Sequence, residues 1–322
     1  MGWQEVYAGV LRKVLDEHGD SPVGVVGCWA KGINHPVCEL DLIIILPNGD
    51  GDGFERRVER DLIVDIRYVT EEEIARRADG VLALSLTECI ILQDPNLRLA
   101  SLANSLKNQA QQAKRDLATS ALTNAVSYLG LGRRALEEGY SMSGCFWLLA
   151  TGYSILEVLI WAAGDTPRPS HLIKQFRAYG GAYSETLRSL FGLAEATTTT
   201  VKRRLDFLSR CYEAEALGLL ERCKLERLLP ALAAKKVSYL LEANMVVDAY
   251  LYLGYLIVEV LTHIYKSEAE SSPRTKPHKF IEDIEDRSLL GKGVVKLTSF
   301  TNIDQIVMQD VDRTVVKLAQ SI

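Results

Sequence analysis

The chain has 322 residues, 48% hydrophobic and 25% charged, which excludes a disordered chain and predicts two or three domains rather than a single small one. Lys+Arg 37 against Asp+Glu 42 leaves a net charge of −5, which argues against a general polyanion binder. Residues 1–100 hold 10 basic and 18 acidic residues, net −8, so the remainder holds 27 and 24, net +3, and the acidic front suits metal cations.

Residues 3–18 place Val6, Val10, Leu11, Val14 and Leu15 on one helical face, ended by Gly19-Asp20-Ser21-Pro22. Val23 to Gly27 reads as a buried strand entering a glycine-bounded loop, and Leu40 to Leu46 as a second strand closed by Pro47-Asn48-Gly49. Segment 48–53 is an Asp-Gly loop. Phe54 to Glu59 and Leu62 to Val69 read as a hairpin turning near Arg60-Asp61. Thr70-Glu71-Glu72-Glu73 has the form of an N-cap with an acidic first turn, opening a helix toward Asp79. Ile90-Ile91-Leu92, then Gln93-Asp94-Pro95-Asn96, reads as a last strand and its exit turn. These elements predict a small α+β domain over 1–98.

From 99 to 322 the pattern predicts an all-α bundle region, helical to 267 and broken at 164–169, 180–181 and 197–200. An internal repeat over about 115–180 and 230–290 is suggested by two echoes. Val126-Ser127-Tyr128-Leu129 returns as Val237-Ser238-Tyr239-Leu240, and Gly152 to Leu159 returns in pattern as Gly254 to Leu261. Residues 268–275 are polar and expected to be mobile, and 290–322 is too mixed to assign. The most apolar stretches, 143–164 and 247–265, carry Glu157 in one and Asp248 and Glu259 in the other, so they predict buried bundle helices and no membrane span. Met1 to Glu5 lacks the form of a signal peptide, and the six cysteines (Cys28, Cys38, Cys89, Cys145, Cys211, Cys223) lack CxxC spacing. Neither a zinc site nor a disulfide framework is expected, and a cytoplasmic location is.

The segment richest in chemistry is Gly27-Cys28-Trp29-Ala30-Lys31-Gly32, followed six residues later by Glu39-Leu40-Asp41-Leu42. Alternate residues of a strand share a face, so Glu39 and Asp41 present two carboxylates side by side. Two such like charges repel unless a cation lies between them, and Mg²⁺ takes one or two carboxylates together with phosphate oxygens. The glycines let backbone amides approach an anion, and Lys31 supplies a point charge for a phosphate. Asp65 interrupts the apolar strand Leu62 to Val69, and an unpaired carboxylate there requires compensation. If the two strands are neighbours, three carboxylates converge and can hold two divalent ions for in-line phosphoryl chemistry, with Asp65 accepting a hydroxyl proton.

These residues resemble the nucleotidyltransferase superfamily related to DNA polymerase beta. Gly27 to Gly32 is similar to the Gly-Ser-x-Ala-Arg-Gly of minimal nucleotidyltransferases and antibiotic adenylyltransferases, and Asp94-Pro95 to the strand end that often closes their catalytic domain. The helical remainder resembles, in architecture alone, HEPN-type bundles and the C-terminal domain of kanamycin-type enzymes. The resemblance implies transfer of a nucleoside monophosphate, AMP from ATP, to a hydroxyl of a small molecule or a protein, with Mg²⁺ as cofactor. It makes Glu39, Asp41 and Asp65 the metal-binding and catalytic residues, and Gly27, Cys28, Lys31 and Gly32 the nucleotide-binding ones. Cys28 stands where Ser is usual and Lys31 where Arg is usual, losing a hydroxyl donor and a bidentate fork. The competing reading is a catalytically degenerate nucleotide-binding or interaction module. Nucleic acid is the less favoured acceptor because of the −8 front half, and a homodimer is compatible with such a bundle.

His35 is read as a loop residue near the site. HEPN ribonucleases place four to six residues between Arg and His, whereas Arg168/His171 leave two and Arg274/His278 three, so capping or turn roles are expected for both histidines. Glu157 and Glu259 are expected to be buried carboxylates paired with Arg or Lys, in preference to a base for the acceptor hydroxyl. Lys202-Arg203-Arg204 is expected to be a solvated face.

Overall fold

In the computed structural model, residues 3–47, 53–59, 62–76, 80–216, 229–271, 276–286 and 305–321 are described. The chain divides into two compact units, residues 1–117 and 118–322.

The first unit is built on β2 (Leu40–Leu46), whose run Ile43-Ile44-Ile45 is fully buried. A strand apolar on both sides must be central in its sheet, and it is. Five strands lie in the order β3-β4-β2-β1-β5, with β1 Val23–Val26, β3 Gly53–Glu59, β4 Leu62–Thr70 and β5 Ile90–Gln93. β2 and β4 are parallel and the other pairings antiparallel, which makes the sheet mixed. Leu40, Leu42 and Ile44 pack with Val23, Val25, Val64 and Ile66 against helix α1 (Trp3–Glu17). Ile43, Ile45 and Val69 form the opposite core with Ile74 of α3 (Glu71–Arg76), Ala83 and Leu86 of α4 (Val81–Leu86), and Leu99 and Leu106 of α5 (Arg98–Glu137).

Two local readings change. The buried face of α1 is Tyr7, Val10, Leu11 and Val14, while Val6 is exposed. Tyr7 takes the inner place because its hydroxyl finds a buried acceptor, the Cys38 carbonyl, at 3.1 Å. The glycine segment is not an open loop: Gly27–Ala30 is a single helical turn, α2, and the amides of Lys31, Gly32 and Ile33 bond back to the carbonyls of Gly27, Trp29 and Cys28. The helix start at Thr70 is a reciprocal capping box, with the Glu73 amide donating to Thr70 Oγ1 and the Thr70 amide to Glu73 Oε2, each at 3.2 Å. The hairpin turn at Arg60-Asp61, the Asp-Gly loop over 48–52 and Asp79 lie outside the described residues.

Helices make up the described part of the second unit. After α5 come α6 (Ser141–Ala162), α7 (Leu172–Tyr179), α8 (Ser184–Phe191), α9 (Thr198–Ala216), α10 (Leu229–Glu242), α11 (Val246–Ser271), α12 (Phe280–Asp286) and α13 (Gln305–Ser321). Residues 268–271, expected to be mobile, continue α11, and the described part of the unassigned tail, 305–321, forms α13. The two echoed segments lie on α5 and α10 and on α6 and α11. The apolar windows of α6 and α11 are long enough to cross a membrane but are 83% and 72% buried within the structure. At the start of α6, the amides of Met142 and Ser143 donate to Glu282 of α12 at 2.9 and 3.1 Å, a cap supplied from far along the chain. Arg204 departs from its expected solvated face. It is 2% exposed, its guanidinium 3.4 Å from the Tyr250 ring centroid and donating to the Tyr250 carbonyl at 2.8 Å. Arg168 and His171 are both buried, and Arg168 bonds Asp165 and the Thr166 carbonyl in the turn after α6.

Candidate functional site

Strand register makes the site. Val26 of β1 faces Asp41 of β2, Asp41 faces Asp65 of the parallel strand β4, and Asp65 faces Arg56 of β3. Residues directly opposite in adjacent strands project to the same face, so Asp41, Asp65 and Arg56 form one row across the sheet. Glu39 precedes β2 by one residue and returns to the same side two positions before Asp41. Carboxylate oxygens of Glu39, Asp41 and Asp65 lie within 4.8 Å of one another, each residue partly exposed. The donor set is hard oxygen, the kind Mg²⁺ takes; its ligands sit about 2.1 Å from the ion, so a modest closure of the three side chains would engage it.

Gly27 is tied to this row by sterics. Its φ is +72°, and a Cβ there would overlap Asp41 Oδ2. The glycine therefore makes room for a carboxylate, where the sequence suggested room for a ligand's phosphates. Gly32, also at positive φ (+65°), has nothing within 4 Å of a Cβ position.

The segment before Glu39 is held from two sides. The Cys38 carbonyl accepts from Tyr7 Oη at 3.1 Å and from Trp29 Nε1 at 3.3 Å, and the two rings meet edge-on at 5.6 Å. Burial, then the negative field of Glu39, then Cys38 and Asp41, push the Tyr7 hydroxyl up to about 12, so it stays protonated and keeps donating. The His35 amide donates to Cys38 Sγ at 3.3 Å, which tightens the same turn.

Arg56 is the residue that sequence reasoning missed. Its Nε reaches Asp65 Oδ1 at 2.6 Å and its terminal nitrogen Oδ2 at 2.5 Å, with the two side chains 7% and 12% exposed. The signal was present: a hairpin turning at residues 60 and 61 pairs 59 with 62 and hence 56 with 65. Lys31 pairs with Glu88 at 2.7 Å, with Lys114 4.0 Å from the same carboxylate. Cys28, partly buried, packs against the α1-side core.

In the second unit, Glu157 accepts a hydrogen bond from Tyr255 at 3.2 Å, so its partner is a phenol where Arg or Lys was expected. Burial, then the nearby Glu259, push it up to about 7.

No protein-family model matches the chain, and no curated protein matches it. Among solved structures, a nucleotidyltransferase-like protein from Exiguobacterium sibiricum 255-15 aligns at TM-score 0.39 and 13% identity, over 91% of this chain and 89% of that one. At that level of similarity the functional reading rests on the chain's own residues.

Proposed function

We propose that the sheet unit is a Mg²⁺-dependent nucleotidyltransferase that moves a nucleoside monophosphate, AMP from ATP, onto a hydroxyl of a small molecule or a protein. The observation that carries this reading is the convergence of Glu39, Asp41 and Asp65 within 4.8 Å on one sheet face. Glu39, one residue before β2, and Asp41, on it, would hold metal from the same face, and Asp65 would add the third carboxylate from the neighbouring strand β4. Bound Mg²⁺ supplies charge neutralisation for the phosphoryl oxygens and the leaving pyrophosphate. The acceptor oxygen bonds to the α-phosphorus, the α–β bridging bond breaks, and Asp65 takes the hydroxyl proton. The turn at 27–32 lies along the triphosphate, and Lys31 reaches a phosphate only by leaving Glu88.

A second reading, a nucleotide-binding module without turnover, is favoured by the engagement of both Lys31 and Asp65 in ion pairs and by Cys28 in the position of a hydroxyl. Calorimetric titration of ATP in Mg²⁺ separates the outcomes, with Asp41→Asn as the control. Mg²⁺-dependent binding that disappears in the variant supports the metal role, and binding unchanged in the variant ends it. Incubation with labelled ATP follows, and binding without label on any protein or small molecule selects the module.

A further inference from the structure

We propose, on the strength of the metal reading above, that Arg56 holds the cation's place at Asp65, yields that carboxylate to the metal, and passes its guanidinium to the nucleotide's phosphates. Asp65 faces two claims. Both its oxygens are engaged by the Arg56 fork at 2.6 and 2.5 Å, and the same carboxylate lies within 4.8 Å of Glu39 and Asp41. The fork takes two of the carboxylate's roughly four lone pairs, and a metal drawn onto the same carboxylate sets a second positive charge against the guanidinium, so the two compete for Asp65. The exchange is local: Arg56 lies directly opposite Asp65 across the β3–β4 pair and on the face of the acidic row.

The displaced side chain has somewhere to go. A guanidinium only 7% exposed in its side chain is poorly hydrated and requires an anion once its carboxylate leaves. A phosphate of the metal-bound nucleotide is such an anion, and the planar fork matches its oxygens bidentately. Before the substrate arrives, Arg56 neutralises Asp65 and limits repulsion among three carboxylates. After it arrives, the same charge contributes to nucleotide affinity. The ring of Phe54, two residues away on the same strand face, lies 5.5 Å from the guanidinium and marks an apolar neighbour over which it can swing.

A merely structural Arg56 and an exchanging one predict different signs. Manganese chloride is titrated into the full chain and into Arg56→Gln, followed by electron spin resonance, and ATP is then titrated at saturating metal. Exchange predicts Mn²⁺ binding about tenfold tighter in Arg56→Gln, since an internal competitor is gone, together with ATP binding about tenfold weaker. A structural prop predicts that both weaken. Arg56→Lys keeps the charge but not the fork and is expected to tighten Mn²⁺ less while still weakening ATP; it is the fallback if Arg56→Gln does not fold. Mn²⁺ binding to the wild type that is unchanged or weaker in the variants overturns the exchange and leaves the metal site standing. Failure of the wild type and both variants to bind Mn²⁺ removes the metal site and the exchange with it.

Discussion

Gly27 carries more of the candidate site than its size suggests. A residue with a Cβ at φ +72° meets the left-handed penalty of about 1–2 kcal/mol, and here the Cβ also overlaps Asp41 Oδ2, which adds an overpacking term of about 1–3 kcal/mol. Gly32 provides the internal control, with a similar φ of +65° and nothing within 4 Å. Gly27→Ala is therefore expected to lose about 2–5 kcal/mol in urea unfolding and Gly32→Ala about 1–2 kcal/mol. Equal losses would mean that Asp41 swings aside freely and that the row is not fixed by sterics. The glycine pattern and the three acids were legible because their residue types are unusual where they stand. Arg56 was not, because an arginine on a charged edge strand looks solvated until the hairpin register is counted out. The Lys31–Glu88 pair joins residues 57 positions apart that no local pattern links.

At the scale of elements, strands were easier to read than the turn between them. β2 was legible end to end, since its seven residues are β-branched or otherwise aliphatic except for Asp41 and are closed by the Pro47-Asn48-Gly49 turn signal. The one-turn helix α2 was read as a loop because four residues cannot show a 3.6 period. The Asp94-Pro95 exit was legible as a turn, and the structure gives the aspartate its purpose: its two oxygens accept the amides of Leu99 at 2.9 Å and Ala100 at 2.8 Å at the start of α5. Both oxygens cap one helix, and a carboxylate there also meets the positive end of the helix dipole. Asp94→Ala is expected to cost about 1–2 kcal/mol, with Asp94→Asn recovering part of it. A loss near zero in thermal melts would show that water replaces the cap.

At the scale of the whole molecule, the acidic front and the long apolar helices behind it were legible from composition, but the partners buried in the helical unit were not. Arg204 on Tyr250 and Glu157 against Tyr255 both join residues far apart in sequence, and periodicity reports only which face is inward. Glu157 has a consequence that can be measured. Its carboxyl is pushed from the ordinary 4.5 up to about 7, first by burial and then by Glu259. A raised value in the folded state means that the native protein holds this proton more tightly than the unfolded chain. The contribution is fully present below about 4.5 and is lost as pH rises through about 7, amounting to about 3 kcal/mol over that window. Asp248, also raised mainly by burial, acts with the same sign. Glu157→Gln keeps the shape without the charge, so its stability relative to wild type is expected to rise between pH 5 and pH 8 by about 2–3 kcal/mol in urea unfolding. Parallel pH profiles for the two proteins would mean that Glu157 stays ionised in the folded state, held by water or by a rearranged Tyr255, and that the charge is tolerated inside the bundle.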